Sequence, residues 1–132
     1  MYAAAPINDF FSPRLTITEG RSDVVISVHK GLFHAANAVH GSVYFKAMDD
    51  AAFFAANSLV DDVFVLTSNF NIYFLKPIST GEMTATGRVV HATRRQYVAE
   101  AKLVDAEGHA IGRGIGTFTR SNMRLSEDLG YV

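Results

Sequence analysis

The chain has 132 residues, 48% of them apolar and 19% charged, with a net charge of −1 and no cysteine. That length suits one domain, residues 1–132, able to bury about 65–70% of the surface its unfolded chain exposes. The near-neutral charge excludes a broad electrostatic hold on nucleic acid or an anionic membrane, and the missing cysteines exclude disulfides and thiolate metal sites.

The opening, Met1–Pro13, holds two of the three prolines and reads as a loop or short turn, so residues 1–14 form an N-terminal extension. Met1–Ile7 is too short for a hydrophobic leader and lacks a basic start, and no apolar run reaches the ~20 residues that span a bilayer. A cytoplasmic protein is the expectation. Leu15–His29 alternates in places and predicts one strand, with a brief second one at Leu32–Ala35. From Ser42 to Leu59 there is neither proline nor glycine and alanine is abundant. This predicts a helix of about 27 Å. At 100° per residue its apolar arc takes in Val43, Tyr44, Phe45, Ala47, Met48, Ala51 and Phe54, far more than the ~100° stripe of a surface helix. Such a helix must be covered on most sides.

After Asp61–Asp62 the period changes to two. Residues 63–76, 82–95, 96–108 and 109–120 predict four strands joined by short polar links, hence an antiparallel meander. Residues 121–132 lose the alternation and read as a tail. One long helix with a curved antiparallel sheet of five to six strands is an α+β domain in which the sheet wraps the helix.

Two features carry chemistry. The first N–H groups of the helix lack intrahelical partners, and Gly41 beside them lets a ligand approach the backbone, so the helix start can hold an oxyanion or a polarised carbonyl. The simpler alternative is a cap by Ser42 after a glycine turn. Asp49 and Asp50 lie in the narrow polar sector with Lys46, Phe53 and Asn57. Asp50 follows Lys46 by four residues, which a solvated i,i+4 pair explains. Asp49 lies beside Phe45 and Ala56, where a carboxylate has reason to shift its pKa and act as base or nucleophile. It is roughly 12 Å along the axis from the helix start, so one subunit does not readily bring Asp49 to a substrate held at its own Gly41.

The stretch "HGSVYFKAMDDAAFFAANS" (40–58) resembles the helix signature of PaaI-type acyl-CoA thioesterases in the hotdog-fold superfamily, a His-Gly-Gly with an Asp seven residues after the second glycine. His40, Gly41 and Asp49 match; Ser42 replaces the second glycine. The stretch 67–95 is similar to that family's central strand, corner and hairpin, and "GRGIGTFTR" (112–120) to its last strand. The resemblance implies a homodimer or homotetramer that hydrolyses an acyl-CoA thioester, medium-chain or aryl, without metal or redox cofactor. It implies that the Gly41 amide polarises the carbonyl while Asp49 of the facing subunit attacks it or activates water. It also implies that Thr67 orients that water and that His40 supports the helix start or contacts substrate. His34 stands where relatives often have Asn and, like Ser42, falls to substrate contact. Phe45, Phe53 and Phe70 are expected along the acyl group, and Arg94 and Arg95, with Lys76 and Arg88 nearby, at the coenzyme phosphates.

The rivals are a non-catalytic acyl-CoA binding module on the same fold and a hotdog dehydratase, whose His and acid stand in a different local order. His29, His34, His40, His91 and His109 lack the spacing of a zinc enzyme. The run 112–116, "GRGIG", lies inside a strand pattern and reads as close backbone packing rather than a phosphate loop.

Overall fold

The computed structural model describes residues 4–124. The N-terminal extension contains a short helix, α1 (Asn8–Phe11), and is followed by strands β1 (Arg14–Thr18) and β2 (Arg21–Ser27). The single strand expected over Leu15–His29 is therefore a hairpin. It turns at Glu19–Gly20, where Gly20 has φ 74°, a left-handed conformation that a side chain disfavours. The brief strand expected at Leu32–Ala35 reduces to a 3-10 turn, Lys30–Leu32, and one bridge between Phe33 and Val39.

The long helix α2 (Gly41–Asn57) is followed by β3 (Val63–Phe74), β4 (Glu82–Ala92), β5 (Gln96–Val104) and β6 (Ala110–Arg124). All six strands form one antiparallel sheet in the order β1-β2-β4-β5-β6-β3. Only β4, β5 and β6 make the expected meander. β3 skips its sequence neighbour and pairs with β6, leaving β4 to pair with β2. The connector 75–81 carries the chain across, tied down where the Tyr44 hydroxyl donates to the Lys76 carbonyl at 2.7 Å and Val39 N–H donates to the Ile78 carbonyl at 2.9 Å. Residues 121–124, expected in the tail, instead extend β6, with Arg124 opposite Val63. Its remainder, 125–132, lies outside the described residues.

The core lies between α2 and one face of the sheet. Ala47, Met48, Ala51, Ala52, Ala55 and Ala56 are fully buried on the helix; Val24, Ile26, Met83, Ala85, Ala99, Leu103, Ile111 and Phe118 are fully buried in the strands. The small helical residues let the two backbones approach unusually closely. A Cβ at Gly87 of β4 would stand 2.2 Å from the Ala51 carbonyl oxygen. That same oxygen accepts a hydrogen bond from the buried Ser22 hydroxyl at 2.6 Å, which ties β2 to the helix mid-point.

The glycines of "GRGIG" serve close packing, as the sequence suggested. A Cβ at Gly114 or Gly116 would meet the Phe70 ring at 2.5 or 2.4 Å, so that ring lies across both. The contact at Gly87 is with backbone, which cannot swing aside. We expect Gly87→Ala to cost about 3 kcal/mol through overpacking, read as a lower urea midpoint with an unchanged slope.

Candidate active site

Asp49 sits in the middle of α2, on the edge of the helix that faces the start of β3. The Thr67 hydroxyl, from β3, donates to Asp49 Oδ1 at 2.9 Å and so fixes the carboxylate across the helix–sheet seam. Both residues line a cavity of about 270 Å³ whose walls include Phe53, Phe54, Phe64, Val65 and Leu66, with Asn8 of α1 at its rim. Phe53 packs edge-on against Phe54 and tilted against Phe64, with centroids 4.9 and 5.2 Å apart. In these apolar surroundings the carboxylate loses hydration, and its pKa rises from the ordinary 3.8 to about 6. Burial is the largest cause; the Thr67 hydrogen bond opposes it, the Asp50 charge adds to it, and the Lys46 charge opposes it.

Asp50 pairs with Lys46, as the i,i+4 spacing predicted, at 2.6 Å. The expected solvation is corrected: the two side chains are only 13% and 17% exposed and line the same cavity as Asp49. The Lys46 ammonium also lies 5.6 Å from the Phe11 ring centroid, so the N-terminal extension covers this side of the helix. Two other residues of the presumed polar sector are buried. Phe53 belongs to the cavity wall, and Asn57 staples α2 to β3, its side-chain oxygen accepting from Val65 N–H at 3.1 Å.

The helix start is a second, separate feature. His40 is the cap: its Nδ1 accepts from Ser42 N–H at 3.0 Å and lies 2.9 Å from the Ser42 hydroxyl. Ser42 is thus held by the cap instead of supplying it. Val43 N–H donates to the His40 carbonyl at 2.9 Å, while the Gly41 N–H has no hydrogen-bond partner among the described residues. This amide borders a cavity of about 370 Å³ lined by His34, Tyr44, Phe74, Lys76 and Pro77 among others. The Phe74 ring lies against Gly41, where a Cβ would come within 3.0 Å of it. His34 faces His40 with ring centroids 6.5 Å apart, its Nδ1 taken by Ala36 N–H at 3.0 Å.

Within one chain, then, Asp49, Thr67 and Phe53 come together in one cavity, and Gly41 and His34 border another, with no lining residue in common. Phe45 and Phe70 contact each other at 5.7 Å and line neither cavity. Lys76 borders the Gly41 cavity, and Arg88 lies with Lys102 and Arg113 on another part of the sheet. Arg95 faces a further cavity with Arg120 and Arg124, of which Arg94 is not a lining residue. Sequence reasoning missed Phe64 and Asn8 beside Asp49. Phe64 looked like any strand aromatic, and Asn8 is brought in by an extension whose path the sequence did not reveal. Among the described residues no group of three or more His, Cys, Asp or Glu could hold a metal, and no helix is long and apolar enough to cross a membrane.

The family model of the thioesterase superfamily matches residues 36–111, which include both cavities' central residues. The chain belongs to the thioesterase superfamily. Its fold is the hotdog fold, in which the curved sheet wraps a single long helix. An inferred esterase of Saccharolobus solfataricus is 27% identical to this superfamily member over 115 residues, covering 83% of this chain and 77% of that protein. One from Sulfurisphaera tokodaii is 29% identical over 100 residues, covering 76% and 74%. The Escherichia coli PaaI protein of the phenylacetic acid degradation operon superposes with a TM-score of 0.88 at 22% identity, over 96% of this chain and 91% of its own. A thioesterase family protein of Silicibacter pomeroyi superposes with a TM-score of 0.82 at 25% identity, over 90% and 91%.

The raised pKa of Asp49 has a consequence for stability with a definite sign. The folded chain holds the proton more tightly than the unfolded one, so this contribution is complete below about pH 4 and is lost as the pH rises through about 6. Asp49→Asn removes the ionisation. We expect the variant to match wild type near pH 4 and to exceed it by ~2 kcal/mol at pH 7 in urea unfolding.

Proposed function

We propose that this superfamily member is an acyl-CoA thioesterase whose active site joins Asp49 of one protomer to the Gly41 amide of its partner. The carrying observation is the presence of a desolvated, Thr67-held carboxylate and a separate helix-start amide that no other described residue uses. Such an amide donates to the oxygen of a thioester carbonyl and strengthens its hold as negative charge develops there. Asp49, ionised above about pH 6, takes the proton of a water while that water's oxygen bonds to the carbonyl carbon. The tetrahedral intermediate then breaks its C–S bond, and the departing thiolate recovers the proton from Asp49. Direct attack by Asp49, giving a mixed anhydride that water later cleaves, uses the same ionised group; oxygen-18 in a single turnover separates the two. Neither route calls for a metal or redox cofactor. The aromatic wall of Phe53, Phe54 and Phe64 suits an aryl or medium-chain acyl group.

Dimerisation is supported by the sheet edge. β3 is 12 residues long and has β6 on one side only. Leu66, Tyr73, Phe74 and the adjoining Leu75 are all more than half exposed there. An open, apolar edge of that length is an unstable feature unless a second strand covers it. A second copy related by a two-fold axis would cover it with the same edge, running antiparallel, and would bring unlike halves of the two helices together. The absence of cysteine suits a reducing cytoplasm.

We expect Asp49→Ala to lower kcat on acyl-CoA by at least ~100-fold. If that variant binds acyl-CoA unchanged and wild type releases no thiol from any acyl-CoA in a broad panel, the chain is a binding module instead. The shared site has its own test. Asp49→Asn and Gly41→Val should each be inactive, yet unfolding and refolding them together in equal amounts should restore about a quarter of wild-type activity, because half of the dimers then carry one intact site. No recovery places the whole site in one chain.

A further inference from the structure

A regular strand alternates its faces, so residues three apart point to opposite sides of the sheet. Thr67 and Phe70 of β3 break that rule. Thr67 donates to Asp49 on α2, and the Phe70 ring meets Phe45 of the same helix with centroids 5.7 Å apart. Both therefore face the helix. Thr67 stands opposite Phe118 and Phe70 opposite Gly116, so three steps along β3 match two along β6. Ser68 is the extra residue, at the register shift between Thr67 and Asn69. It forms a β-bulge, which re-aims the side chains beside it.

The core demands a bulge without specifying its position. Val65 is fully buried, and the Phe70 ring lies across Gly114 and Gly116. Five steps separate Val65 from Phe70 on β3, against four from Arg120 to Gly116 on β6, so one extra residue must fall between them. With the bulge at Leu66, Val65 and Phe70 would still face the helix while Thr67 turned to the outer face. Asp49 would then lose its hydroxyl donor with little change in the core. One contact marks the observed position. The Ser68 and Thr119 hydroxyls meet at 2.5 Å. Thr119 follows the fully buried Phe118 and so faces away from the helix. A bulge at Leu66 would turn Ser68 toward the helix, out of its reach. A hydroxyl pair adds little to global stability, but choosing between two bulge positions with nearly equal cores requires little. We infer that the Ser68–Thr119 hydroxyl pair fixes the bulge of β3 and thereby positions Thr67 to donate to Asp49. Ser68 and Thr119 are thus positioning residues. Their effect on hydrolysis rests on the thioesterase reading above, whereas their effect on Asp49 does not, and the two are measured separately.

The test is an NMR titration of the Asp49 carboxyl carbon in full-length wild type, Ser68→Ala, Thr119→Val and Thr119→Ser. Thr119→Val keeps the shape of the side chain without its hydroxyl, and Thr119→Ser keeps the hydroxyl. The Thr67 hydrogen bond lowers the Asp49 pKa, so its loss raises the midpoint. Ser68→Ala and Thr119→Val should each move the midpoint up by about one pH unit, while Thr119→Ser leaves it in place. In a Thr67→Val background Ser68→Ala should add nothing, because the pair acts only through that hydroxyl. Asp50 and Lys46, the charged groups beside Asp49, are retained in every variant. On an acyl-CoA the two hydroxyl-deleting variants should lose about tenfold in kcat with KM unchanged. The acid limb of kcat should move up with the Asp49 midpoint. An unmoved midpoint in either deletion overturns the inference, as does a Thr119→Ser midpoint that moves with them or a shift that persists in the Thr67→Val background. Loss of the fold in the deletions also overturns it, because the pair would then be a structural fastener. The expected midpoint pattern without any thioester hydrolysis upholds the positioning and removes the catalytic reading.

Discussion

The close approach of α2 to the sheet is the constraint on which the remaining structure depends. Alanines along the helix and a glycine opposite them bring backbone against backbone, so the helix cannot slide or rotate without a steric clash. Ser22 adds a hydrogen bond at the tightest point. With the helix register fixed, the direction of every other side chain on it is fixed too. Asp49 faces the start of β3 within reach of Thr67, and Phe53 turns into an aromatic cluster instead of toward solvent.

That rigidity lets the protein hold a carboxylate where water would not. Asp49 has one hydroxyl donor and apolar neighbours, which leaves its ionised form under-solvated and its affinity for a proton raised. The same burial that destabilises the folded chain near neutrality brings the group's proton exchange up to about pH 6. The adjacent acid has a different fate. Asp50 is paired with Lys46 under the cover of α1, so its charge, which raises the Asp49 pKa, is opposed by the ammonium, which lowers it.

The hotdog fold was legible in the sequence because its main signals are local. A proline-free, alanine-rich helix followed by period-two segments fixes the element types, and the helix start motif with an acid at fixed spacing points to the superfamily. What local pattern does not contain is pairing. Nothing in residues 63–76 distinguishes a strand that pairs with the next one from a strand that crosses to the last, so the meander extended too far. The hairpin at Gly20 was hidden because the alternation on its two sides runs on with little interruption. The polar sector of the helical wheel was misjudged for a related reason. Asn57 and the Lys46–Asp50 pair are polar yet covered, one by a backbone bond to β3 and the others beneath an extension that a wheel does not include.

The sequence by itself determined the helix, the strand-forming segments, the absence of cysteine chemistry and the spacing between Gly41 and Asp49. These are properties of composition and of fixed rises per residue, which need no long-range contact to be true. Only the tertiary structure decided that β3 stands at an open edge, that Asp49 meets Thr67 in an aromatic cavity, and that Arg95 gathers with two arginines from the far end of the chain. Each of those depends on which distant segments share a surface, and burial, charge proximity and hydrogen-bond partners exist only once that surface has formed.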